Sequence, residues 1–178
     1  GGFLAKMEFD QFDRLYNPTT GWAAYGNYFY AAGDGYDRAE LDLRAAQSIG
    51  DYVFHGRIRG AGSLTGTLPF YDAVALGGFL NLSGFVRNQI IGDSLMYGNV
   101  RVEKVVGRLP AGLRGDMRVG VALEGGQVNG RYTETNLNGW QSSVTAYAGG
   151  ETPLGMVYVG YGYAPNGMGN FYLFIGTP

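Results

Sequence analysis

The 178-residue sequence contains no cysteine, only two lysines (Lys6 and Lys104) and no long apolar run. The lack of cysteine excludes a disulfide scaffold, a thiolate zinc site and a cysteine nucleophile. With 13 basic against 15 acidic residues, the chain has no excess positive charge for nucleic-acid binding, so we expect no nucleic-acid partner. No apolar run approaches the ~18 residues of a transmembrane helix. The length allows a single domain or a fragment of a larger one.

Glycine and aromatic residues are abundant instead, at 32 residues and 15% of the chain. No Gly-X-Y period accompanies the glycines, which excludes collagen, and the aromatic content excludes a disordered chain. Period-two alternation of apolar and polar residues dominates, as in β-strands. It predicts nine strands, at residues 3–9, 22–32, 38–45, 52–59, 95–106, 113–124, 140–149, 155–163 and 170–176.

The predicted connections alternate in length, as in an antiparallel up-and-down sheet. Short turns at 47–51 and 107–112 alternate with longer Gly/Asp/Asn-rich loops at 33–37 and 125–139. Residues 62–94 are too many for a hairpin loop and too apolar for a disordered one. We therefore expect this segment to fold back on the protein as a functional loop.

The polar face of the predicted strands carries arginine and carboxylates, whereas exposed strands of soluble sheets favour lysine. Such side chains, facing one another across a narrow lumen, form hydrogen-bonded networks. The other face is apolar, with aromatic residues near strand ends as at lipid interfaces: Trp22, Tyr28, Tyr30, Tyr52 and Trp140. The pattern predicts an all-β transmembrane barrel whose interior is lined by Arg38, Glu40, Asp42, Arg44, Arg57, Arg59, Arg101, Glu103, Arg114, Asp116, Arg118 and Glu124.

Three stretches resemble the bacterial surface antigen family of outer-membrane barrels. Residues 10–21 (DQFDRLYNPTTG) are similar to the periplasmic turn of that family, in which aspartates precede Pro-Thr-x-Gly. Residues 76–85 (LGGFLNLSGF) resemble the family's long loop that folds into the barrel. Residues 124–128 (EGGQV) lie at a strand end where relatives have Asp-x-Gly-x-Val.

Taken in order, these stretches resemble the C-terminal half of a family barrel of about sixteen strands. The family includes barrel assembly factors, two-partner secretion transporters and the translocator barrels of patatin-like autotransporters, and the last branch fits best. The resemblance implies a bacterial outer-membrane location, contact with lipid, and an anchor or translocator for a passenger or client polypeptide. The residues offer no motif for a cofactor or metal site, so we expect neither, and we expect no catalysis in this chain, since any patatin-like lipase activity would lie in a separate passenger domain.

The resemblance also implies that residues 62–94 occupy the barrel interior as a plug or gate. The loop-tip motif is Leu82, Ser83, Gly84 and Phe85. Ser83 stands where the family has an arginine, so the family's contact between that arginine and the acidic strand residue does not carry over. We expect Glu124 to pair instead with Arg114, Arg118 or Arg101.

Two other functions remain as alternatives. One is a soluble β-sandwich or small barrel that binds carbohydrate or protein through Tyr-rich loops. The other is an enzyme using His55, the sole histidine, with a carboxylate as an acid/base pair. No Gly-x-Ser-x-Gly motif is present, and the Gly-Ser-Leu-Thr-Gly run at 62–66 has the wrong spacing. A structural role for His55 on a strand face is the stronger interpretation.

The predicted strand number is odd, whereas bacterial transmembrane barrels close with an even number. Three solutions are open. The chain is part of a barrel of about sixteen strands, or the eight strands from Trp22 onward close alone, or two copies form a homodimer through their barrel edges.

Overall fold

The computed structural model describes residues 1–15, 17–108, 115–152 and 155–176. In these residues the chain forms one antiparallel sheet of nine strands in sequence order, so the predicted all-β up-and-down sheet is confirmed. Its strands are β1 (Gly2–Asp10), β2 (Gly21–Ala31), β3 (Tyr36–Ile49), β4 (Tyr52–Gly62), β7 (Ser94–Arg108), β8 (Asp116–Asn129), β9 (Gly139–Thr152), β10 (Gly155–Tyr163) and β11 (Asn170–Ile175).

The segment between β4 and β7 contains a second, smaller sheet. Its two strands, β5 (Val74–Leu76) and β6 (Ile90–Gly92), pair with each other in antiparallel fashion. Single-turn 3-10 helices lie at Phe70–Asp72 and Thr135–Leu137. In the described part of the chain, no helix is long and apolar enough to span a membrane.

Several strands are longer than alternation predicted. The clearest correction is the predicted loop at 125–139, because β8 continues to Asn129 and leaves only residues 130–138 between β8 and β9. The prediction failed because glycine is typical of loops, whereas Gly126 lies within a strand, where the lack of a side chain lets β7 and Leu76 approach closely. A Cβ on Gly126 would lie 3.0 Å from the carbonyl oxygen of Met96 and 2.8 Å from the side chain of Leu76.

The sheet is open at both ends. In the described residues, each strand of the nine-stranded sheet pairs with those beside it in the order β1-β2-β3-β4-β7-β8-β9-β10-β11, so β1 and β11 have one neighbour each and, with nine antiparallel strands, run in the same direction. The idea that eight strands from Trp22 onward close alone is wrong, because β2 is paired along its length with β1 on one side and β3 on the other. The edges of the sheet are therefore β1 and β11.

The sheet is nevertheless strongly curled. The turn between β1 and β2 contacts the sixth and eighth strands of the sheet order, β8 and β10. Asn17 Nδ2 in the turn lies 3.2 Å from Met156 Sδ on β10. Arg118 Nη2 on β8 also donates to the backbone oxygen of Asn17, at 3.3 Å. Residues 63–93 pack against the concave side, which we call the inner face.

The hydrophobic core lies between the inner face and residues 63–93 rather than between two sheets. One cluster joins Leu68, Leu76, Leu82 and Phe85 of this segment to strand residues such as Tyr97. A second cluster centres on Phe79, whose ring lies 5.5–5.6 Å from four other aromatic rings. Those rings belong to Tyr147, Tyr158, Tyr172 and Phe174.

The two faces of the sheet have opposite chemistry. The outer face is apolar and exposed, as shown by Ile58, Val100 and Leu123, which are 56–62% exposed. The inner face carries polar and charged side chains that are buried, such as Glu103 and Glu124. Charged residues are almost never buried unless they are paired, so the partners of the inner-face charges define the candidate site.

Candidate functional site: the loop tip and the charged inner face

The predicted loop-tip residues, Leu82, Ser83, Gly84 and Phe85, are all buried against the inner face. Leu82 has a backbone φ of +77°, in the left-handed region that non-glycine residues rarely adopt. Such a conformation persists only where surrounding contacts hold it in place. The tip is therefore a fixed part of the inner face in this structure.

Glu124 on β8 supplies the main contact with the tip. Its Oε2 accepts hydrogen bonds from the backbone N–H of Leu82 at 2.7 Å and from the Tyr97 hydroxyl at 2.8 Å. Its Oε1 accepts from the Ser83 hydroxyl and the Thr145 hydroxyl, both at 2.6 Å, and from the Ser83 N–H at 3.3 Å. Five donors thus surround one carboxylate that is only 4% exposed.

The expectation that Glu124 pairs with an arginine is wrong for the described residues. Arg101 and Arg118 lie near Glu103 instead, and Arg114 lies outside the described residues. A carboxylate can be stabilised by several neutral donors as well as by a cation, and here the serine of the tip provides both its hydroxyl and its N–H. The tip is therefore joined to β8 through neutral donors on Glu124 and not through an arginine.

Close packing and a further hydroxyl donor, which has two carbonyl acceptors within reach, hold the tip in place. The Tyr172 hydroxyl on β11 lies 2.8 Å from the carbonyl oxygen of Ser83 and 2.9 Å from that of Phe85. A Cβ placed on Gly84 would stand 2.1 Å from the Cβ of Ala164. Only glycine therefore fits at the centre of the tip.

A second cluster lies on β3 and β4. Asp42 accepts hydrogen bonds from both Arg44 and Arg57, the latter at 2.6 Å from Nη2. The register places Arg57 opposite Arg44 and Arg59 opposite Asp42, so Arg57 reaches Asp42 diagonally across the two strands. One carboxylate thus faces two guanidinium groups.

Towards the other end of the same strands, Glu40 lies 2.7 Å from Arg59 Nη2 and 3.5 Å from Arg38 Nη2. Arg38 also contacts Asp72, which belongs to the segment between β4 and β7. This ion pair joins the segment to β3 through Asp72, whereas the Glu124 contact joins the loop tip to β8.

A third cluster surrounds Glu103 on β7. Arg118 Nη1 donates to Glu103 at 3.2 Å, the Tyr147 hydroxyl donates at 2.7 Å, and His55 Nε2 lies 3.3 Å away. Arg101 approaches more loosely, with Nε 3.7 Å from the same carboxylate. His55 therefore lies in a buried ionic cluster.

Of the twelve charged residues predicted to share a face, ten make contacts in these clusters. The side chain of Asp116 makes no hydrogen bond or ion pair with another described residue, although its backbone pairs with Arg108, and Arg114 lies outside the described part of the chain. Tyr97, Thr145 and Tyr172, which help to hold the tip, were missed by the sequence analysis. Their inner-face parity was the available signal, since each alternates with exposed apolar neighbours.

The turn between β1 and β2 closes one end of the inner face. Asp13 accepts hydrogen bonds from the backbone N–H groups of Thr19 and Thr20, at 2.8 and 3.0 Å, and from the Thr19 hydroxyl. The Thr19 hydroxyl in particular, together with these N–H donors, lowers the pKa of Asp13 to about 2. The aspartate of the predicted turn motif thus organises its own loop.

Among the described residues, no group of three or more histidine, cysteine or carboxylate side chains is placed to hold a metal ion. A scan against protein-family models and a search of curated proteins each find no match to this chain.

Proposed function

We propose that this chain is part of a bacterial outer-membrane β-barrel of the surface antigen family, and that it anchors and translocates a passenger or client polypeptide. The observation that carries the proposal is the inverted burial of the sheet, with apolar side chains exposed outside and charges buried inside. Exposing this face to water would be unfavourable, because the free energy of apolar surface falls when the surface leaves water. Lipid is the solvent that suits such a face.

Aromatic residues on the outer face support a membrane boundary at each end. Trp22 and Tyr52 lie beside the turns at 11–20 and 50–51, whereas Tyr30 and Trp140 lie beside the loops at 32–35 and 130–138. Trp22 and Tyr30 are eight residues apart on β2, which at about 3.3 Å per residue is about 26 Å along the strand. At the ~35–45° tilt of barrel strands, this length spans about 20 Å along the membrane normal, somewhat less than the ~25 Å apolar band of an outer-membrane barrel.

The direction of the edge strands restricts how such a barrel closes. Because β1 and β11 run in the same direction, an all-antiparallel barrel needs an odd number of additional strands between them. A second copy rotated about the membrane normal would instead place β11 beside a parallel β1 at both junctions. We therefore favour completion by further strands outside this nine-stranded sheet over a homodimer through the edges.

The segment 63–93 would then fill part of the interior. Its contacts with Glu124, Arg38 and Tyr172 come from three different strands. This supports a plug within the lumen, and the serine-containing tip fits the translocator branch with patatin-like passengers. Passage of a polypeptide would use the space on the side of the missing strands.

Flotation with lipid vesicles and heat-dependent gel mobility test the membrane assignment. The wild-type chain should need detergent or lipid to fold and should float with vesicles. Leu123→Arg, on the lipid-facing side of β8, should lower stability in vesicles by about 2–4 kcal/mol. Leu64→Arg is the matched control, since Leu64 is 72% exposed outside the strands.

A chain that is folded and monomeric in buffer alone, with Leu123→Arg as well tolerated as Leu64→Arg, would overturn the membrane proposal in favour of the soluble binding module. The mass of the detergent complex tests closure. One chain with unsatisfied edges is expected, and a stable two-chain barrel would contradict the strand-direction argument.

Translocation needs its own test in a Gram-negative host. A reporter domain joined ahead of Gly1 should become accessible to external protease if the chain supports export. Membrane insertion without any exposure of the reporter would leave an anchor and remove the translocator.

A further inference from the structure

A cavity of about 270 Å³ lies where the turn between β1 and β2 folds over the inner face. The turn contributes Arg14 and Asn17, β3 contributes Arg44, β4 contributes Arg57, and β7 contributes Arg101. These elements are held together by contacts already described, so the cavity is a formed feature of the sheet. It is smaller than the pockets that hold drug-sized ligands.

The lining of this cavity is strongly basic. Four arginines line it, Arg14, Arg44, Arg57 and Arg101, together with a single acidic residue, Asp10. That carboxylate already accepts hydrogen bonds from the Phe12 N–H and from a tyrosine hydroxyl. The walls therefore present an excess of positive charge.

The carboxylates behind the walls do not cancel this excess. Asp42 is shared between Arg44 and Arg57. Glu103 is shared between Arg118 and Arg101, with Arg118 the closer of the two. Among the described residues, each of these carboxylates is thus shared by two guanidinium groups.

Arg101 is the least satisfied of these cations. Its side chain is only 16% exposed, and its Nε is buried with no hydrogen-bond partner among the described residues. The contact with Glu103, at 3.7 Å, exceeds hydrogen-bonding distance. A buried polar group without a partner is costly, and its guanidinium belongs to the wall of a cavity large enough for a small ion.

We propose that this cavity binds a small oxyanion, a carboxylate or a phosphate group, with Arg101 as its principal ligand and Arg14 at its mouth. The planar guanidinium fork matches the paired oxygens of either group. One bound negative charge would be shared by the cations that lack a full counter-charge. The site does not depend on membrane insertion, because neighbouring strands and one turn of the same sheet form it.

Binding of inorganic phosphate to the folded protein in detergent micelles tests the proposal. Equilibrium dialysis with labelled phosphate, at constant ionic strength set by chloride, should give saturable binding with one site per chain. Arg101→Gln should weaken this binding at least about tenfold, since it removes a charged hydrogen-bond donor. Arg87→Gln, which removes an exposed charge elsewhere, should leave binding unchanged.

Arg14→Gln provides a second variant in case Arg101→Gln fails to fold. Arg14 is 57% exposed and makes only a 3.8 Å contact with Asp13, so its loss should spare the fold and weaken phosphate binding several-fold. Competition by acetate distinguishes the two classes of ligand. Acetate should displace the labelled phosphate readily if the site prefers carboxylates, and only weakly if the site prefers phosphate groups.

Absence of saturable binding would overturn the site, as would equal binding by wild type and both cavity variants. Equal competition by chloride would also overturn it, because that is the behaviour of a general ion atmosphere. If the protein proves to fold in buffer alone, the same measurement applies without detergent, so failure of the membrane proposal leaves this test intact.

Discussion

Replacing Glu124 with glutamine should detach the loop tip from β8. The carboxylate accepts from five donors, and glutamine of the same shape offers one oxygen and one NH₂ group. If the NH₂ group takes the Oε2 position, it faces the N–H of Leu82, which lies 2.7 Å away. If it takes the Oε1 position, it faces the N–H of Ser83. In either orientation, the NH₂ group of the glutamine and a backbone N–H group point at each other, and both are hydrogen-bond donors.

The expected loss of stability is about 3–5 kcal/mol. With the NH₂ group at the Oε1 position, the Ser83 N–H left without an acceptor costs about 1–3 kcal/mol, and the two hydrogen bonds that remain on Oε2 weaken by about 1 kcal/mol each when their acceptor loses its charge. The hydroxyls limit the loss because they can rotate, and the Tyr97 hydroxyl already has an alternative acceptor in the carbonyl oxygen of Leu80, at 2.7 Å.

Urea unfolding in detergent micelles, followed by the fluorescence of Trp22 and Trp140, measures this loss. Glu134→Gln is the matched control, since Glu134 is exposed and makes no side-chain cap, and it should change stability by less than about 0.5 kcal/mol. Trypsin cleavage at Arg87, on the exposed part of the segment, should also become faster. Equal unfolding midpoints for the two variants would refute the role given to Glu124.

Two further perturbations test the tip and the turn. Gly84→Ala should lower the thermal midpoint clearly, since the new methyl group would stand 2.1 Å from the Ala164 Cβ, whereas Gly33→Ala, where no atom lies within 4 Å, should not. Asp13, with its pKa lowered from 3.8 to about 2, should contribute stability that is fully present above its ordinary pKa and lost as pH falls through about 2. Urea midpoints measured from pH 6 to pH 2 should show a step that Asp13→Asn removes and Asp51→Asn retains; an unchanged step in Asp13→Asn would contradict the assignment.

The strands and their faces were predictable because alternation is a local property. A residue such as Val119 and its neighbour Arg118 point to opposite faces whatever the distant contacts are. The inverted burial followed from the kind of charge, since arginine paired with carboxylate indicated an enclosed face. The antiparallel order followed from short connections.

The partners of individual charges were not predictable from the sequence. Glu124 lies opposite Asn99 on one side and Ser143 on the other, and Arg101 and Arg118 contact Glu103. Which donor reaches Glu124 depends on how residues 63–93 fold back, which is a long-range contact without a local signal. Gly126 lies against Leu76 of the same segment, so the glycines near 125 resembled a loop in the sequence although they belong to β8.

The position of the core decides between a plug and a gate for residues 63–93. Leu68, Leu76, Leu82 and Phe85 of this segment are completely buried against the inner face. Burying one such side chain contributes about 1.5–3 kcal/mol, so exposing these four would cost on the order of 6–12 kcal/mol, which is comparable to the whole stability of an ordinary domain. A movement that withdraws the whole segment from the inner face would therefore cost about as much as unfolding an ordinary domain. Under the proposed function, the segment acts as a fixed plug rather than a gate, and any movement that admits a polypeptide has to leave these four side chains in place.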